Sequence, residues 1–272
     1  MTSIADHYEA GGPVAKVAAA LERVAPGGQP LTVDELGGFD DFHTAGRLAT
    51  ARMADLLAPG ATDTVLDAGA GVGGPARYLA ERFGCQVIGV DLTPAFIEIA
   101  ELLNERTGLS DRVELRVGDI TALDLDDGSV DHVWTQHVAM NIAERGRLYA
   151  ELRRVLKPGG RFAMFDVIAG AGGDLLLPVP WATEPSQSFL VTADEQRRLL
   201  EDAGFRIDVW DDPTAEMVEV LRTMVAGPPE GAEPRPLTIA LIVDDMPTKM
   251  AGYFRNIEEG RTALLLAVCT AA

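Results

Sequence analysis

The chain has 272 residues, and its 23 lysines and arginines stand against 42 aspartates and glutamates, a formal net charge of −19. Nucleic acids and anionic membranes need a basic protein surface, so this charge argues against both kinds of partner. A hydrophobic fraction of 47% is too high for a disordered chain and ordinary for a globular one. The length allows one large domain or two small ones.

The two cysteines, Cys85 and Cys269, lie far apart and belong to no CxxC or Cys/His pattern. Their placement predicts no disulfide framework and no metal site, and it favours a reducing, cytoplasmic setting. The first residues carry neither a basic stretch nor an apolar one, and no window approaches the roughly 18 apolar residues that a membrane span needs. We therefore expect a soluble protein that is not exported.

The N-terminal part of the chain is predicted to be helical. Apolar residues recur at helical spacing from Val14 to Val24, and a second helical run covers about Thr44 to Leu57. We assign residues 1–60 to an N-terminal helical cap. Residues 64–91 then change character, because two β-rich runs flank a helical one, which predicts a β-α-β unit.

The alternation of strands and helices continues toward the C-terminus. Further helices are predicted from Pro94, at 144–156 and at 193–202, and further strands at 113–117, 130–135, 161–167, 205–210 and 264–268. This order predicts a mostly parallel sheet covered on both faces. Two segments, at about 169–192 and 211–258, fall outside the alternation, and insertions of this size over a sheet edge form lids or substrate walls.

The most specific local pattern is a strand that runs into a glycine-rich turn and then a helix, at residues 65–75. Gly69, Gly71 and Gly74 satisfy the G-x-G-x-x-G dinucleotide pattern, with Asp91 at the expected distance. Asp67 disfavours a dinucleotide, because its charge would stand beside the pyrophosphate, whereas an ammonium group would pair with it. An ordinary tight turn without a ligand is the alternative.

Two further acidic positions follow the next two predicted strands. Asp91 is placed to accept hydrogen bonds from both ribose hydroxyls, and Asp119 with Ile120 is placed to hold an adenine amino group and ring face. Three acids without a phosphate-binding lysine or arginine describe a cationic, phosphate-free nucleoside. S-adenosylmethionine is that molecule.

From about Asp63 to Val167 the chain resembles the class I S-adenosylmethionine-dependent methyltransferases. The family's D-x-G-x-G-x-G signature is present at residues 67–73, and its turn before strand five is present at 156–160. The acid that ends its second strand matches Asp91, and its adenine-contacting pair matches Asp119 and Ile120. The resemblance implies an α/β, Rossmann-like domain over 61–272 with seven strands, the last one antiparallel and inserted beside the sixth. The implied cofactor contacts are Asp67, Gly69, Gly71, Gly73, Asp91, Leu92, Asp119 and Ile120, and the product is S-adenosylhomocysteine.

The family's fourth strand end faces the methionine part of the cofactor and the acceptor, which implies these roles for Gln136 and His137. A histidine with an ordinary pKa of about 6.5 can take a proton from a hydroxyl or ammonium acceptor. The alternative is that His137 only forms a hydrogen bond with the substrate or a loop carbonyl. Asn141, four residues later, is a further predicted substrate contact.

Asp166, at the end of predicted strand five, is the second catalytic candidate. Similar small-molecule methyltransferases use a histidine together with an aspartate at this strand end, but their histidines match Met140 and Asn141 here. This departure puts a copied His–Asp mechanism in doubt. A helix-capping or solvated acid is the alternative for Asp166.

Residues 39–46 resemble the N-terminal cap of bacterial sarcosine/dimethylglycine-type and natural-product tailoring methyltransferases. That cap closes over the cofactor, which implies that His43 and Gly46 line its methionine end. A plain helix-capping turn explains the same residues. Tyr8 is a further lid candidate, with simple packing as its alternative.

The first insertion mixes aromatic and polar residues where the same relatives bind their acceptors. Trp181 and Glu184 would surround a cationic amine. The apolar run at 175–179 suggests a larger hydrophobic acceptor instead, and the sequence leaves both open.

The leading hypothesis is a methyltransferase that acts on O, N or C of a small-molecule acceptor, either a natural product or an amine. A cyclase or isomerase that binds S-adenosylmethionine without transferring its methyl group is the second hypothesis, and a nicotinamide-dependent reductase is the third. The expected partner is the acceptor alone, with no nucleic acid and no membrane. The sequence leaves open whether the chain forms a homo-oligomer.

Overall fold

The computed structural model describes residues 12–225 and 235–272. Tyr8 and three of the prolines in the second insertion, at 228, 229 and 234, lie outside the described residues. The α-helices are α1 (Pro13–Val24), α2 (Val33–Asp40), α3 (Arg47–Leu57), α4 (Gly74–Phe83), α5 (Pro94–Thr107), α6 (Arg145–Val155), α7 (Ala193–Asp202), α8 (Thr214–Val225) and α9 (Met246–Glu258). The strands are β1 (Thr64–Ala68), β2 (Gln86–Asp91), β3 (Val113–Val117), β4 (Val130–Gln136), β5 (Leu156–Ala169), β6 (Phe205–Asp211) and β7 (Thr262–Ala271).

The seven strands form one sheet in the order β3-β2-β1-β4-β5-β7-β6. The pairs β1–β2, β2–β3, β1–β4 and β4–β5 are parallel, whereas β7 runs antiparallel to both β5 and β6. The predicted seven-stranded Rossmann-like sheet, with its last strand antiparallel beside the sixth, is confirmed. The chain leaves β1 toward β2 on one side and reaches β4 on the other, so the carboxyl end of β1 is a topological switch point.

Both faces of the sheet are buried, as a parallel sheet requires. Successive residues of a strand point to opposite faces, so Val65 belongs to one core cluster and Leu66 to the other. The same alternation separates Phe165 from Met164 on β5. A third cluster joins the cap to α5 and to residues 237–246 of the second insertion. This third cluster therefore connects the cap with the second insertion beside the sheet.

The cap differs from its prediction in two places. Helix α2 was missed because Gly37 and Gly38 weaken its helical pattern, and the helix begins at a capping box formed by Thr32 and Glu35. Helix α3 begins at Arg47 rather than near Thr44, because Ala45 and Gly46 have φ angles of 64° and 48°, which a right-handed helix does not allow. The boundary between cap and sheet domain near residue 60 stays a prediction.

Within the described ranges, no helix is both long and apolar enough to cross a membrane. The same ranges contain no group of three or more His, Cys, Asp or Glu side chains suited to hold a metal ion.

Candidate active site

A cavity of about 490 Å³ lies at the carboxyl ends of the strands around β1. Ligand sites in proteins commonly measure about 300–1,000 Å³, and in open α/β sheets they lie at this switch point. The walls come from the glycine-rich turn, the ends of β2, β3 and β4, the cap and both insertions. The cavity is thus bordered by the segments in which the sequence predicts site residues, except the end of β5, which carries Asp166.

The glycine-rich turn requires glycine for its backbone angles and, at Gly69, for space. Gly69, Gly71 and Gly73 have φ angles of 85°, 54° and 80°, which favour glycine. A Cβ on Gly69 would stand 2.4 Å from a methyl carbon of Val138. Gly69 and Gly71 line the cavity, whereas Gly73 precedes α4 as its N-cap and does not. The predicted cofactor contact of Gly73 is therefore replaced by a role in shaping the turn.

Asp91 joins the end of β2 to this turn. Its Oδ2 accepts a hydrogen bond of 2.9 Å from the Gly71 amide, and its Oδ1 accepts one of 2.9 Å from the Thr93 amide. Burial raises the pKa of Asp91 despite these two amides. A carboxylate has about four acceptor positions, so Asp91 retains capacity for ribose hydroxyls. Leu92 is 51% exposed at the cavity wall, an apolar surface that a bound ring would cover.

Asp67 is a buried carboxylate in the cavity wall. Its Oδ2 has no hydrogen-bond partner among the residues that the structure describes. Burial, together with the nearby charge of Asp91, raises the pKa of Asp67 to about 7. A buried, unpartnered carboxylate is costly unless a cationic group pairs with it. Asp67 therefore fits the ammonium group of S-adenosylmethionine.

Asp119 and Ile120 lie in the wall beside β3. The Oδ1 of Asp119 accepts two hydrogen bonds of 2.8 Å, from the amide and the hydroxyl of Thr121. Ile120 is buried and presents an apolar surface. The pair combines a fixed acceptor with an apolar side chain, as an adenine amino group and ring would require.

The cap reaches the end of β4 through His43. The side-chain amide of Gln136 donates to Nδ1 of His43 over 3.0 Å, so the proton of a neutral His43 is on Nε2. That nitrogen lies 3.1 Å from the hydroxyl of Thr50, which itself donates to Asp41 Oδ1 over 2.9 Å. One chain of hydrogen bonds therefore fixes the side chains of His43 and Gln136. Both residues line the cavity.

Gly46, for which the sequence predicted a cofactor contact, is not among the residues that line the cavity. Its φ of 48° and its position as N-cap of α3 give it a role in the turn.

Two acids before His43 were missed by the sequence analysis, although their adjacency was a visible signal. Arg47 donates from Nε to Asp41 Oδ2 over 2.5 Å, and Arg77 donates from Nη2 to Asp40 Oδ2 over 2.8 Å. Burial acts to raise the pKa of Asp41, but the hydrogen bonds and charges of His43 and Arg47 outweigh it and lower that pKa. The pair of Arg77 with Asp40 attaches the cap to the sheet domain, whereas the pair of Arg47 with Asp41 lies within the cap.

His137 stands at a strained turn after β4. Its φ is 56°, an uncommon value for a residue with a side chain, and its amide donates to the Phe165 carbonyl over 2.8 Å. The ring centroid lies 5.2 Å from that of Phe165 and 6.1 Å from that of His43. Burial, aided by His43, lowers the pKa of His137 well below its ordinary value. His137 is therefore neutral at pH 7.

The side chain of His137 lines the cavity, and its Nε2 is buried without a hydrogen-bond partner in the described part of the chain. A bound molecule with a hydrogen-bonding group would satisfy this nitrogen. His137 and Gln136 thus line the same cavity, and the role of His137 toward an acceptor stays a prediction.

Asp166 does not line the cavity. It is fully buried, and its Oδ1 accepts a hydrogen bond of 2.8 Å from the amide of Val138, directly after His137. Burial raises its pKa to about 6, although Arg145 and backbone amides act in the opposite direction. The structure therefore corrects the catalytic interpretation, because Asp166 has no access to a bound molecule and instead holds the turn that carries His137.

The first insertion is attached to this turn by Asn141. Its side-chain nitrogen donates to the carbonyls of Trp181 over 2.9 Å and of Gln187 over 2.7 Å. Trp181 lines the cavity and packs edge-on against Tyr253, with ring centroids 5.2 Å apart. Glu184 is exposed, lies outside the cavity wall and caps a short helical turn, so the predicted pair of Trp181 and Glu184 around an amine is not assembled.

The second insertion supplies an apolar wall that the sequence analysis did not resolve into residues. We call it the apolar wall and define it as Leu221, Ile239, Ile242, Met246, Met250 and Tyr253, all of which line the cavity. On α9 the last three recur at spacings of four and three residues, the pattern of one helix face. This spacing was the signal in the sequence, but nothing in it showed what that face covers.

Comparisons with known proteins agree with this geometry. Residues 66–164 match a family model described as a methyltransferase domain. The methyltransferase GfsG of Streptomyces halstedii is 32% identical over 169 residues, which cover 61% of this chain and 61% of that protein. The sarcosine/dimethylglycine N-methyltransferase of Halorhodospira halochloris is 30% identical over 64% of this chain and 62% of that protein. The chain thus spans less than two thirds of the length of these relatives.

The fold is shared with solved structures as well. Phosphoethanolamine N-methyltransferase 2 of Haemonchus contortus, in complex with phosphomonomethylethanolamine and S-adenosylhomocysteine, superimposes with a TM-score of 0.74 at 20% identity. The match covers 99% of this chain and 61% of that one. At this level of identity the likeness shows the fold alone.

Proposed function

Because residues 66–164 match a methyltransferase domain, we propose that the protein is a class I S-adenosylmethionine-dependent methyltransferase and transfers the methyl group of S-adenosylmethionine to a small-molecule acceptor. The observation that carries the proposal is the single cavity that unites Asp67, Asp91 and His137. The two acids suit a cationic nucleoside, and the imidazole of His137 would contact the acceptor.

The cofactor site is assigned residue by residue. Asp67 pairs with the ammonium group, Asp91 accepts the ribose hydroxyls, and Asp119 with Ile120 holds the adenine. Gln136, fixed by His43, faces the methionine part. The support is the unpartnered oxygen of Asp67 and the two backbone amides that orient Asp91.

S-adenosylmethionine supplies a methyl group that is already activated, so the protein orients the acceptor, excludes water and removes a proton where the acceptor carries one. His137 takes this proton on Nε2 from an acceptor hydroxyl. Its lowered pKa keeps it unprotonated at pH 7, and the hydroxyl proton becomes strongly acidic as the new O–C bond forms. The buried cap and the apolar wall exclude water from this step.

The proposal is tested with S-adenosylmethionine labelled in its methyl carbon, incubated with the protein and a mixture of small hydroxyl and amine compounds. We expect the label to appear in a product of the mixture, together with S-adenosylhomocysteine. Label that stays in the cofactor while a compound isomerises would identify the cyclase alternative. Calorimetry provides the second readout, because binding of NAD without binding of S-adenosylhomocysteine would indicate the nicotinamide enzyme.

A further inference from the structure

We infer that the acceptor is an uncharged, largely apolar hydroxyl compound, an inference that rests on the proposed function. It concerns the acceptor half of the cavity, defined here as the part lined by His137, Asn141, Trp181 and the apolar wall. The sheet order places the ends of β2 and β3 on one side of β1 and the ends of β4 and β5 on the other. His137 and Asn141 follow β4 on the second side, whereas Ile242 and Met246 of the apolar wall pack in one cluster with Phe96 of α5.

The acceptor half is built from apolar side chains that both insertions contribute. Trp181 comes from the first insertion, and the apolar wall comes from the second. Two of the wall's members, Met246 and Met250, are flexible and polarisable, so this wall adapts to apolar ligands of different shape. A surface of this composition binds by burying apolar area.

Charge is missing from this half among the described residues. The described lining contains no lysine and no arginine, and its acids are Asp40, Asp41, Asp67, Asp91 and Asp119. The first two are paired with Arg77 and Arg47, and the other three are the acids that the proposed function assigns to the cofactor. Lys249, on the same helix as the methionines, does not line the cavity.

A charged acceptor would therefore be buried without a partner. An ammonium group would need a carboxylate, and Glu184, which was expected to supply it, is exposed outside the cavity. A phosphate or carboxylate would need an arginine or lysine. Because an unpaired charge is strongly disfavoured in an apolar environment, this half selects against amine cations and against anions.

One polar atom in this half, on the His137 ring, is buried without a hydrogen-bond partner among the described residues. The hydroxyls of Tyr253 and Thr44 bind each other over 2.8 Å, and the Asn141 side-chain nitrogen is engaged by two carbonyls. The Nε2 of His137 has no partner among the described residues. An acceptor with a single hydroxyl at this nitrogen and apolar surface elsewhere satisfies every one of these groups.

The experiment uses three probes with the same ring system: 1-naphthol, 1-naphthoate and 1-naphthylmethylammonium. Each is titrated by calorimetry into the whole protein saturated with S-adenosylhomocysteine. We expect 1-naphthol to bind about tenfold or more tightly than either ion, because only the ions bury a charge. An ion that binds as well as 1-naphthol, or 1-naphthol that does not bind, would overturn the inference.

A pair of variants on α9 links this preference to the apolar wall. Met250→Glu introduces a carboxylate into the wall, and Ala251→Glu places the same charge on the exposed neighbouring position as its matched control. We expect Met250→Glu to lose about tenfold in affinity for 1-naphthol and to gain affinity for the ammonium probe, with no change in Ala251→Glu. Equal affinities in the two variants would contradict the role of the wall.

Cofactor binding separates this inference from the proposed function. If S-adenosylhomocysteine does not bind the unmodified protein, the proposed function fails. If S-adenosylhomocysteine binds but a charged probe binds at least as tightly as 1-naphthol, only the inference fails. Unchanged S-adenosylhomocysteine affinity also verifies that Met250→Glu is folded, and Met250→Gln replaces it if the glutamate prevents folding, with the same loss of 1-naphthol affinity expected.

Discussion

Arg77 and Asp40 form an ion pair that is fully buried between the cap and the glycine-rich motif. The guanidinium of Arg77 donates to Asp40 over 2.8 Å, to Asn104 on α5 over 3.0 Å and to the carbonyl of Val72 over 2.6 Å. A Cβ on Gly74 would stand 2.3 Å from the Asp40 carbonyl oxygen, so the cap lies directly against the start of α4. One side chain thus holds the cap, α5 and the cofactor turn together.

Replacing Arg77 by leucine is expected to lower the free energy of unfolding by about 3–5 kcal/mol, because buried Asp40 would keep only the longer contact of 3.5 Å with Arg47. Urea denaturation measures the change. The matched control is Arg82→Leu, which removes the exposed pair of Arg82 with Asp55 and is expected to cost no more than about 1 kcal/mol. Equal losses in the two variants would show that the buried pair does not hold the cap.

The affinity for S-adenosylhomocysteine is expected to depend on pH through Asp67. The pKa of Asp67 is raised to about 7 in the free protein, so below pH 7 its carboxyl must lose a proton before it can pair with the ligand's ammonium group. Affinity should therefore fall by up to about tenfold for each pH unit below 7 and level off above it. Calorimetry between pH 5.5 and about 8 measures the profile.

Two variants assign this profile to a residue. Asp67→Asn should bind S-adenosylhomocysteine more weakly at high pH and lose the pH dependence. Asp119→Asn should bind more weakly while retaining it, because that substitution leaves Asp67 in place. A profile that persists in Asp67→Asn would refute the assignment.

Asp166 is expected to act through the turn that it holds. Asp166→Ala leaves the amide of Val138 without an acceptor, which should destabilise the protein by about 1–3 kcal/mol and lower turnover by misplacing His137. Asp166→Asn keeps an acceptor oxygen, so it should recover most of the turnover. Steady-state kinetics with the acceptor from the labelling screen measures the turnover of both variants. A lack of recovery in Asp166→Asn would contradict a positioning role.

His137→Ala is expected to lower turnover about 10²–10⁴-fold for a hydroxyl acceptor, the usual contribution of a general base. Its affinity for S-adenosylhomocysteine should stay close to that of the unmodified protein. Turnover equal to that of the unmodified protein would leave His137 with a structural role only.

Gly69→Ala is expected to weaken both folding and cofactor binding, because the new Cβ meets Val138 at 2.4 Å in a backbone with φ of 85°. Adding Val138→Ala removes the clashing methyl groups, so the double variant should regain part of the lost stability. The remaining loss, about 1–2 kcal/mol, is the conformational cost of alanine at positive φ. Thermal unfolding measures the stability of the single and the double variant, and full recovery in the double variant would show that the φ angle costs nothing.

The strands and the cofactor acids were predictable because each depends on local pattern. Asp67 and Asp91 were predicted from their spacing to glycines and both line the cavity, and the order of strands and helices indicated the sheet. The burial of Asp166 and the exposure of Glu184 were not predictable. Both are acids beside a turn, and only packing decides which one is buried. Helix α2 was missed for a related reason, since its glycines oppose helix formation and tertiary contacts of Asp40 stabilise it.

The position of β7 has a consequence for the order of folding. Because β7 lies between β5 and β6, β6 cannot join the sheet until residues 262–271 have been synthesised. The second insertion connects β6 to β7, so the apolar wall of the cavity is completed last. The strands that carry the cofactor acids are adjacent and precede it, so a growing chain can assemble its nucleoside pocket before its substrate wall exists.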